Sequence, residues 1–455
     1  MTVNLPHFTT AGERRDRRDE ARDIGPPPKC QHPAERAEAE QNLAVWLKRY
    51  FPLVFYMDFA PHHIAAIRRL EYSLDNAGYF AFAMPRGDGK TVLVECGTTF
   101  GILSGKHDYI YLIGATQGKA DELLKDIKYM LYQTPLLLQD YPEWVHAIKA
   151  TENNAQRANN LRYNGEPLEI DWKKNQVVIP NLTTGSVAII QSCGIEGAVR
   201  GAHYVTPTGA VRRPSLAIPD DPETAKSAKS QSQIDFRLGV LRADVAKLCG
   251  PDQEMSIFVP CTIMRTGAVA DVLLNQDPNW HGQCTKSLDS MPENMDIWED
   301  YNKARIAGEN DMDKGLAANA FYLANRDELE RGASVTWAGR IKGTALTALQ
   351  STMNEYFKNG VESFWAECQN EPLDQHVSVY EITPELVRTS LSGVARQRVP
   401  ANCDIITGYI DINYTGLHYA VVAWRNDECG YVIDHGKEPR GAAVLFDPKN
   451  PAGKT

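Results

Sequence analysis

No stretch of this 455-residue chain approaches the roughly 18 consecutive apolar residues of a membrane span, and its N-terminus has no apolar signal-peptide core. A soluble protein that stays where it is made, without a membrane partner, is expected. A basic excess is missing too: Lys and Arg number 48 against 58 Asp and Glu, for a net charge of −10. This balance argues against a surface dedicated to coating nucleic acid, and leaves room for a machine that grips and releases phosphates locally. The nine cysteines (30, 96, 193, 249, 261, 284, 368, 403 and 429) are scattered, odd in number and never in C-x-x-C spacing. Free, mostly buried thiols are therefore expected, not a disulfide framework or a zinc site. Cys30-Gln31-His32 is too little to build a tetrahedral centre. What the chain does have is apolar content, 43% of its residues, ample for buried cores in about three domains.

Residues 1–40 are polar, with mixed charges at 13–20 and three prolines at 26–28, and read as a flexible or part-helical arm. From about 41 the chain turns globular. Leu43, Trp46 and Tyr50 suit a helix ending near Pro52, and Ile64, Ile67 and Leu70 suit a second. Strands are expected at 79–84, 108–113, 176–179, 186–190, 216–218 and 256–259, with helices over 90–103 and about 118–132. Strand, loop, helix, strand, helix is a βαβ pattern, so the fold class is α/β with a mainly parallel sheet over 41–275. Residues 276–395 show no clear strand alternation and read as a lid and linker. Three consecutive strands joined by short turns then begin near 405, and 396–455 read as a separate domain.

The chemistry gathers first at Pro85-Arg86-Gly87-Asp88-Gly89-Lys90-Thr91, behind the apolar run at 79–84. A strand running into Gly-x-Gly-Lys-Thr and then a helix is the context of a phosphate-binding loop. Backbone N–H groups and a helix N-terminus face the phosphates, Lys90 adds a point charge and the Thr91 hydroxyl can ligate Mg²⁺. The usual spacing puts a glycine five positions before Gly89; here that position is Met84, and Arg86 stands inside the loop. A second element is the short apolar strand at 216–218 that ends in Asp220-Asp221-Pro222-Glu223. A nucleotide hydrolase needs such a strand: Asp220 fits the metal role, and Asp221 or Glu223 the orientation or deprotonation of the attacking water.

Three further elements stand out. Arg200, between Gly197 and Gly201, can present a cation to a γ-phosphate in cis or across a subunit boundary, a role for which Arg86 competes. Thr262 follows the strand at 256–259, where an α/β sheet can sense nucleotide state. Asp411 lies within the first strand of the C-terminal meander, a costly place for a carboxylate unless it faces a metal or a partner. The ribonuclease-H-like fold opens in this way, with an Asp that shares two metal ions with later carboxylates. Asp434 reads as a turn residue. The sequence stops at Thr455, so a nuclease of this kind is expected to be incomplete here.

Taken together, these residues resemble the large subunit of tailed-phage terminases, the ATP-driven motors that package DNA. The loop at 85–91 is similar to that family's variant phosphate loop with its inserted arginine. Residues 195–201 and Arg213-Pro214, running into Asp220-Asp221-Pro222-Glu223-Thr224, resemble its acidic strand. Pro260-Cys261-Thr262 resembles its coupling motif, and 364–372 the segment before its nuclease domain. The resemblance implies that Pro85 to Thr91 hold ATP, with Lys90 and Thr91 on phosphate and Mg²⁺. Arg86 would sense the γ-phosphate, Asp220 would hold the metal, and Asp221 or Glu223 the attacking water. Arg200 would be offered to a neighbouring subunit's ATP, Phe59 and His63 would lie near the adenine, and Thr262 would sense the nucleotide. Asp411 would hold Mg²⁺ or Mn²⁺ at the nuclease. The implied partners are double-stranded DNA, the portal protein, the terminase small subunit and further copies in a ring, in the host cytoplasm. Two alternatives stay open: another nucleic-acid translocase or helicase, and an assembly subunit that binds nucleotide without hydrolysing it.

Overall fold

The structure is a computed structural model that describes residues 22–197, 199–373, 384–413, 416–425 and 429–438. The chain divides into two units, Met1–Asp374 and Gln375–Thr455. An eight-stranded sheet forms the first. Its strands are β1 (Gly78–Ala83), β2 (Tyr109–Gly114), β3 (Asp171–Trp172), β4 (Gln176–Pro180), β5 (Val187–Gly194), β6 (Leu216–Asp220), β7 (Ser256–Cys261) and β8 (Trp280–Cys284). They lie in the order β8-β1-β7-β6-β2-β5-β4-β3. From β8 to β5 all pairings are parallel, and β4 and β3 add an antiparallel edge. This is a mixed α/β fold with a largely parallel sheet.

The strands read as nearly unbroken apolar runs because both faces of the sheet are covered. Side chains alternate along each strand. Phe80 and Phe82 of β1, Ile110 and Leu112 of β2 and Leu216 and Ile218 of β6 therefore enter one core. It is shared with α1 (Leu43–Tyr50), α2 (Pro61–Asp75), α3 (Lys90–Leu103) and α4 (Gln117–Gln133). Ala81, Tyr111, Ala217, Ile257 and Val259 enter a second core on the opposite face, closed by Ile234, Leu238, Leu241 and Leu273. Two glycines let α4 approach the sheet: a Cβ at Gly114 would lie 2.5 Å from the Ala120 N, and one at Gly194 would lie 2.4 Å from the Gln117 N.

β8 and a two-stranded ribbon (Leu288–Ser290 with Ser334–Val335) lie in the stretch expected to lack strands. Trp280-His281-Gly282-Gln283-Cys284 alternates poorly because an edge strand has one partner and exposes much of its length. Beyond β8, α5 (Met295–Asn310), α6 (Leu316–Ala324), α7 (Ala348–Asn359) and α8 (Val361–Glu367) build a third core around Trp298, Tyr301, Tyr322, Met353 and Phe364. Residues 22–40, part of the stretch read as an arm, dock on the first core. The Ile24 N–H donates to the Arg162 carbonyl, His32 bonds Asp140, and Arg36 pairs with Glu143 and covers the Tyr141 ring at 4.0 Å. Residues 1–21 lie outside the described residues.

In the second unit, β9 (Ile405–Asn413), β10 (Gly416–Trp424) and β11 (Gly430–Glu438) form an antiparallel meander. Asp434 sits within β11, not in a turn, and its carboxylate accepts from Arg396 and from Gln397 Nε2 at 2.9 Å.

Candidate nucleotide-binding site

Because β1, β6 and β7 run parallel, their C-terminal ends meet at one edge, where α/β sheets bind ligands. β1 delivers the loop at 84–90, and Gly87 and Gly89 both take φ +84°, the left-handed region glycine fills without strain. Gly89 caps α3, so Lys90 and Thr91 open the helix. Met84 shows why the usual glycine is dispensable. It does not take positive φ, its side chain is buried, and its carbonyl accepts from Lys90 Nζ at 2.9 Å. The same ammonium donates to Thr262 Oγ1 at 2.7 Å, which ties the loop at 84–90 to the end of β7.

β6 brings the acidic pair. Thr91 Oγ1 donates to Asp220 Oδ2 at 3.1 Å, while Asp220 Oδ1 is enclosed without a hydrogen-bond partner. Burial, together with the neighbouring Asp221, pushes the Asp220 carboxyl up to about 7. Burial also raises Asp221, although Lys90 pulls the other way. Asp221 takes φ +39° and its N–H donates to the Pro260 carbonyl at 3.0 Å, so β6 closes on β7 at the site itself. Pro219 costs little, because β6 pairs with β7 only at Leu216 and Ala217.

Glu223, the expected alternative to Asp221, lines the same cleft as Asp220 and Asp221 and is bonded to backbone there. Its two oxygens accept from the Val269 and Ala270 N–H groups at 3.0 Å each, capping the helical turn at Val269–Asp271. Arg237, buried behind it, donates to the Pro222 carbonyl at 3.1 Å and pairs with Glu196. Arg200 is exposed and pairs with Asp244 at 2.7 Å, not with the loop. Arg86 also points outward, donating to both Glu367 oxygens at 2.9 Å, while its N–H donates to the Glu367 carbonyl at 2.8 Å. The 364–372 segment is thus fastened to the site. Asn370 Oδ1 accepts from the Ile263 N–H at 2.9 Å, and Asn370 Nδ2 donates to the Thr285 carbonyl at 2.8 Å.

Several residues gather here that no motif in the sequence marks. Glu95, one turn after Thr91 on α3, is buried, and burial with Asp126 and Asp220 nearby pushes its carboxyl up to about 8. With Lys119 of α4 it lines a cleft of about 330 Å³ that also holds Thr91, Asp220, Asp221 and Glu223. The i, i+4 spacing from Thr91 was the available signal for Glu95. Arg340 lies far off in sequence but donates to Asp88 Oδ1 at 2.7 Å and to the Arg86 carbonyl at 2.8 Å. No local pattern announced it.

Phe59 and His63 line a separate cavity of about 330 Å³ beside Gly87 and Gly89. The ligand-capable atoms of His62, His63 and Asp88 lie within 4.8 Å of one another and could hold a divalent cation. The guanidinium already on Asp88 and the Ala60 N–H that donates to His63 Nδ1 at 3.1 Å account for two of those groups without an ion. Asp411 is not part of that group. It is exposed, so the burial cost that singled it out in the sequence is not incurred. No helix among the described residues is long and apolar enough to cross a membrane.

No family model matches the chain, and no curated protein does. Among solved structures, the chain is similar to the HK97 bacteriophage large terminase, at 12% identity and a TM-score of 0.38, with 86% of this chain and 66% of that one covered. It is also similar to the large terminase from a thermophilic bacteriophage. That match has 10% identity and a TM-score of 0.34, and covers 86% of this chain and 72% of that one. The same thermophilic-phage enzyme in complex with ATP-γ-S matches at 9% identity and a TM-score of 0.30, covering 86% and 71%. The chain spans about two thirds of the length of the HK97 protein.

Proposed function

We propose that the chain is the large subunit of a tailed-phage terminase, in which ATP hydrolysis at the 85–91 loop drives double-stranded DNA into a preformed capsid. The observation that carries this reading is the pair of hydrogen bonds that joins three strand ends, Lys90 to Thr262 and Thr91 to Asp220. Residues 41–275 would be the ATPase domain, 276–395 a lid and linker, and 396–455 the opening of a ribonuclease-H-like nuclease with Asp411 toward Mg²⁺ or Mn²⁺. Portal protein, terminase small subunit and neighbouring copies would be its partners in the host cytoplasm, with Arg200 offered to a neighbour's nucleotide.

The residues present suit Mg²⁺. Asp220 Oδ1 has no partner, and the buried carboxyl of Glu95 and the half-buried carboxyls of Asp220 and Asp221 bind protons more tightly than usual, protons that a cation would displace. Thr91 and Asp220 would hold the ion, which when bound neutralises charge between the β- and γ-phosphates. The loop N–H groups and Lys90 orient the phosphates. Asp221, with both its raised proton affinity and its place beside Thr262, takes the proton of the attacking water. Glu223 holds the 269–271 turn against the segment that follows β6. Asp221→Asn is therefore expected to lower DNA-stimulated turnover about a hundredfold or more. Glu223→Gln should keep most turnover and lose about 1–3 kcal/mol of stability. Steady-state ATPase assays beside thermal melts separate the two; the reverse pattern would return the catalytic role to Glu223.

A further inference from the structure

Glu95 is an acid that neither the 85–91 loop nor the pair at the end of β6 explains. Only 4% of it is exposed, and among the described residues its carboxylate has no hydrogen bond and no ion pair. An acid buried so deeply without a partner is costly. We propose that the cleft it lines binds a hydrated divalent cation without nucleotide, and that Glu95 anchors that ion by accepting from its water shell; the inference rests on Thr91 and Asp220 holding Mg²⁺.

Thr91 and Glu95 lie one turn apart on α3, so their side chains share a face. Asp220 lines the same cleft: its Oδ2 accepts from Thr91, and its Oδ1 is enclosed without a partner. The neighbouring acids do not share this deficit. Glu223 accepts from two backbone N–H groups, Glu122 takes the Lys119 ammonium at 2.8 Å, and Asp126 is exposed to water. Burial, Asp126 and Asp220 together push the Glu95 carboxyl up to about 8, a penalty that a cation in the cleft offsets. The kind of ion follows from the spacing. Among the described residues, three ligand-capable groups come within 4.8 Å of one another only at His62, His63 and Asp88. Glu95 and Asp220 therefore build no close cage of protein atoms such as Zn²⁺ or Ca²⁺ takes. Mg²⁺ keeps several of its waters and is held by one or two carboxylates, which suits Asp220 in contact with the ion and Glu95 behind a water. Glu95 is thus a positioning residue, acting on the ion through its shell.

Calorimetric titration of the full chain with Mg²⁺ alone, without nucleotide, tests the proposal. The wild-type chain should bind the ion, and Glu95→Gln should weaken it about tenfold to a hundredfold. Glu95→Met, which keeps the length of the side chain without a carboxylate, should weaken it to the same extent. Melting curves add a second readout: Mg²⁺ should raise the wild-type melting temperature and leave that of Glu95→Met where it is. No binding by the wild-type chain, or unchanged affinity in both Glu95 variants, would overturn the proposal. Loss of the ion in His63→Gln but not in Glu95→Gln would do so too, by placing it on the His62, His63 and Asp88 group. Asp220→Asn should lose the ion as well. If it kept the ion, the reading of Asp220 as a metal ligand would fall and the inference with it; loss there beside unchanged affinity in the Glu95 variants would remove Glu95 alone.

Discussion

Lys90→Ala is expected to lower ATP turnover by about a thousandfold or more, the range seen when a preorganised cation is removed from phosphoryl transfer. The ammonium has no structural partner it alone can satisfy. Its acceptors are a hydroxyl and a carbonyl, and Thr262 and Met84 lie at strand ends that stay paired through β1 and β7. Stability should therefore change little while catalysis collapses. Rapid-quench measurement of product formation, beside a melting curve, checks both halves. Turnover near wild type would remove the loop from the chemistry. A large loss of stability would show that the Lys90 bridge is structural.

The largest effect on stability is expected at Asp140. Its fully buried carboxylate accepts from Arg49 at 2.8 Å, from Tyr50 at 2.8 Å and from His32 at 2.7 Å. Its carbonyl accepts from Arg36 at 2.8 Å. Asp140→Ala leaves the Arg49 charge without its partner at the junction of α1 with the docked 22–40 segment. It should cost about 3–5 kcal/mol by urea denaturation; a loss below about 1 kcal/mol would show that the network is dispensable. Burial alone would push this carboxyl up, but the bonds from Arg49, His32 and Tyr50 outweigh it and hold it below the ordinary range. The stabilisation is thus fully present above the unfolded carboxyl's value, about 4, and is lost as pH falls through the lower folded value. Asp140→Asn should flatten the fall of stability on acidification below about pH 4.

Local signals carried the parallel sheet and the glycine-rich turn after β1. The helix over 90–103 and the strands of the sheet's interior were legible because apolar runs and a Gly-x-Gly-Lys-Thr turn are set by residues near in sequence. Strand order was not legible: placing β7 between β1 and β6, which brings Thr262 to Lys90, is a long-range outcome of packing. For the same reason Arg340 on Asp88, Glu367 on Arg86 and Asn370 on Ile263 were invisible, since each joins residues far apart in the chain. The bonds from Glu223 to the Val269–Asp271 turn were not legible, because an acidic residue near a strand end reads alike whether it faces a ligand or caps a helical turn. The 22–40 segment is part-helical as expected, at Pro33–Glu40, but its docking was not legible, because its charges meet partners on distant helices instead of water.

In the proposed motor, the carboxylate pair at the end of β6 and the loop at the end of β1 form one ATP-hydrolysing site that responds to DNA. Mg²⁺-dependent ATP turnover, measured with and without double-stranded DNA for the wild-type chain and for Asp220→Asn, tests it most directly. Turnover is expected to rise with DNA and to disappear in the variant. Turnover indifferent to DNA, or surviving in Asp220→Asn, would contradict it.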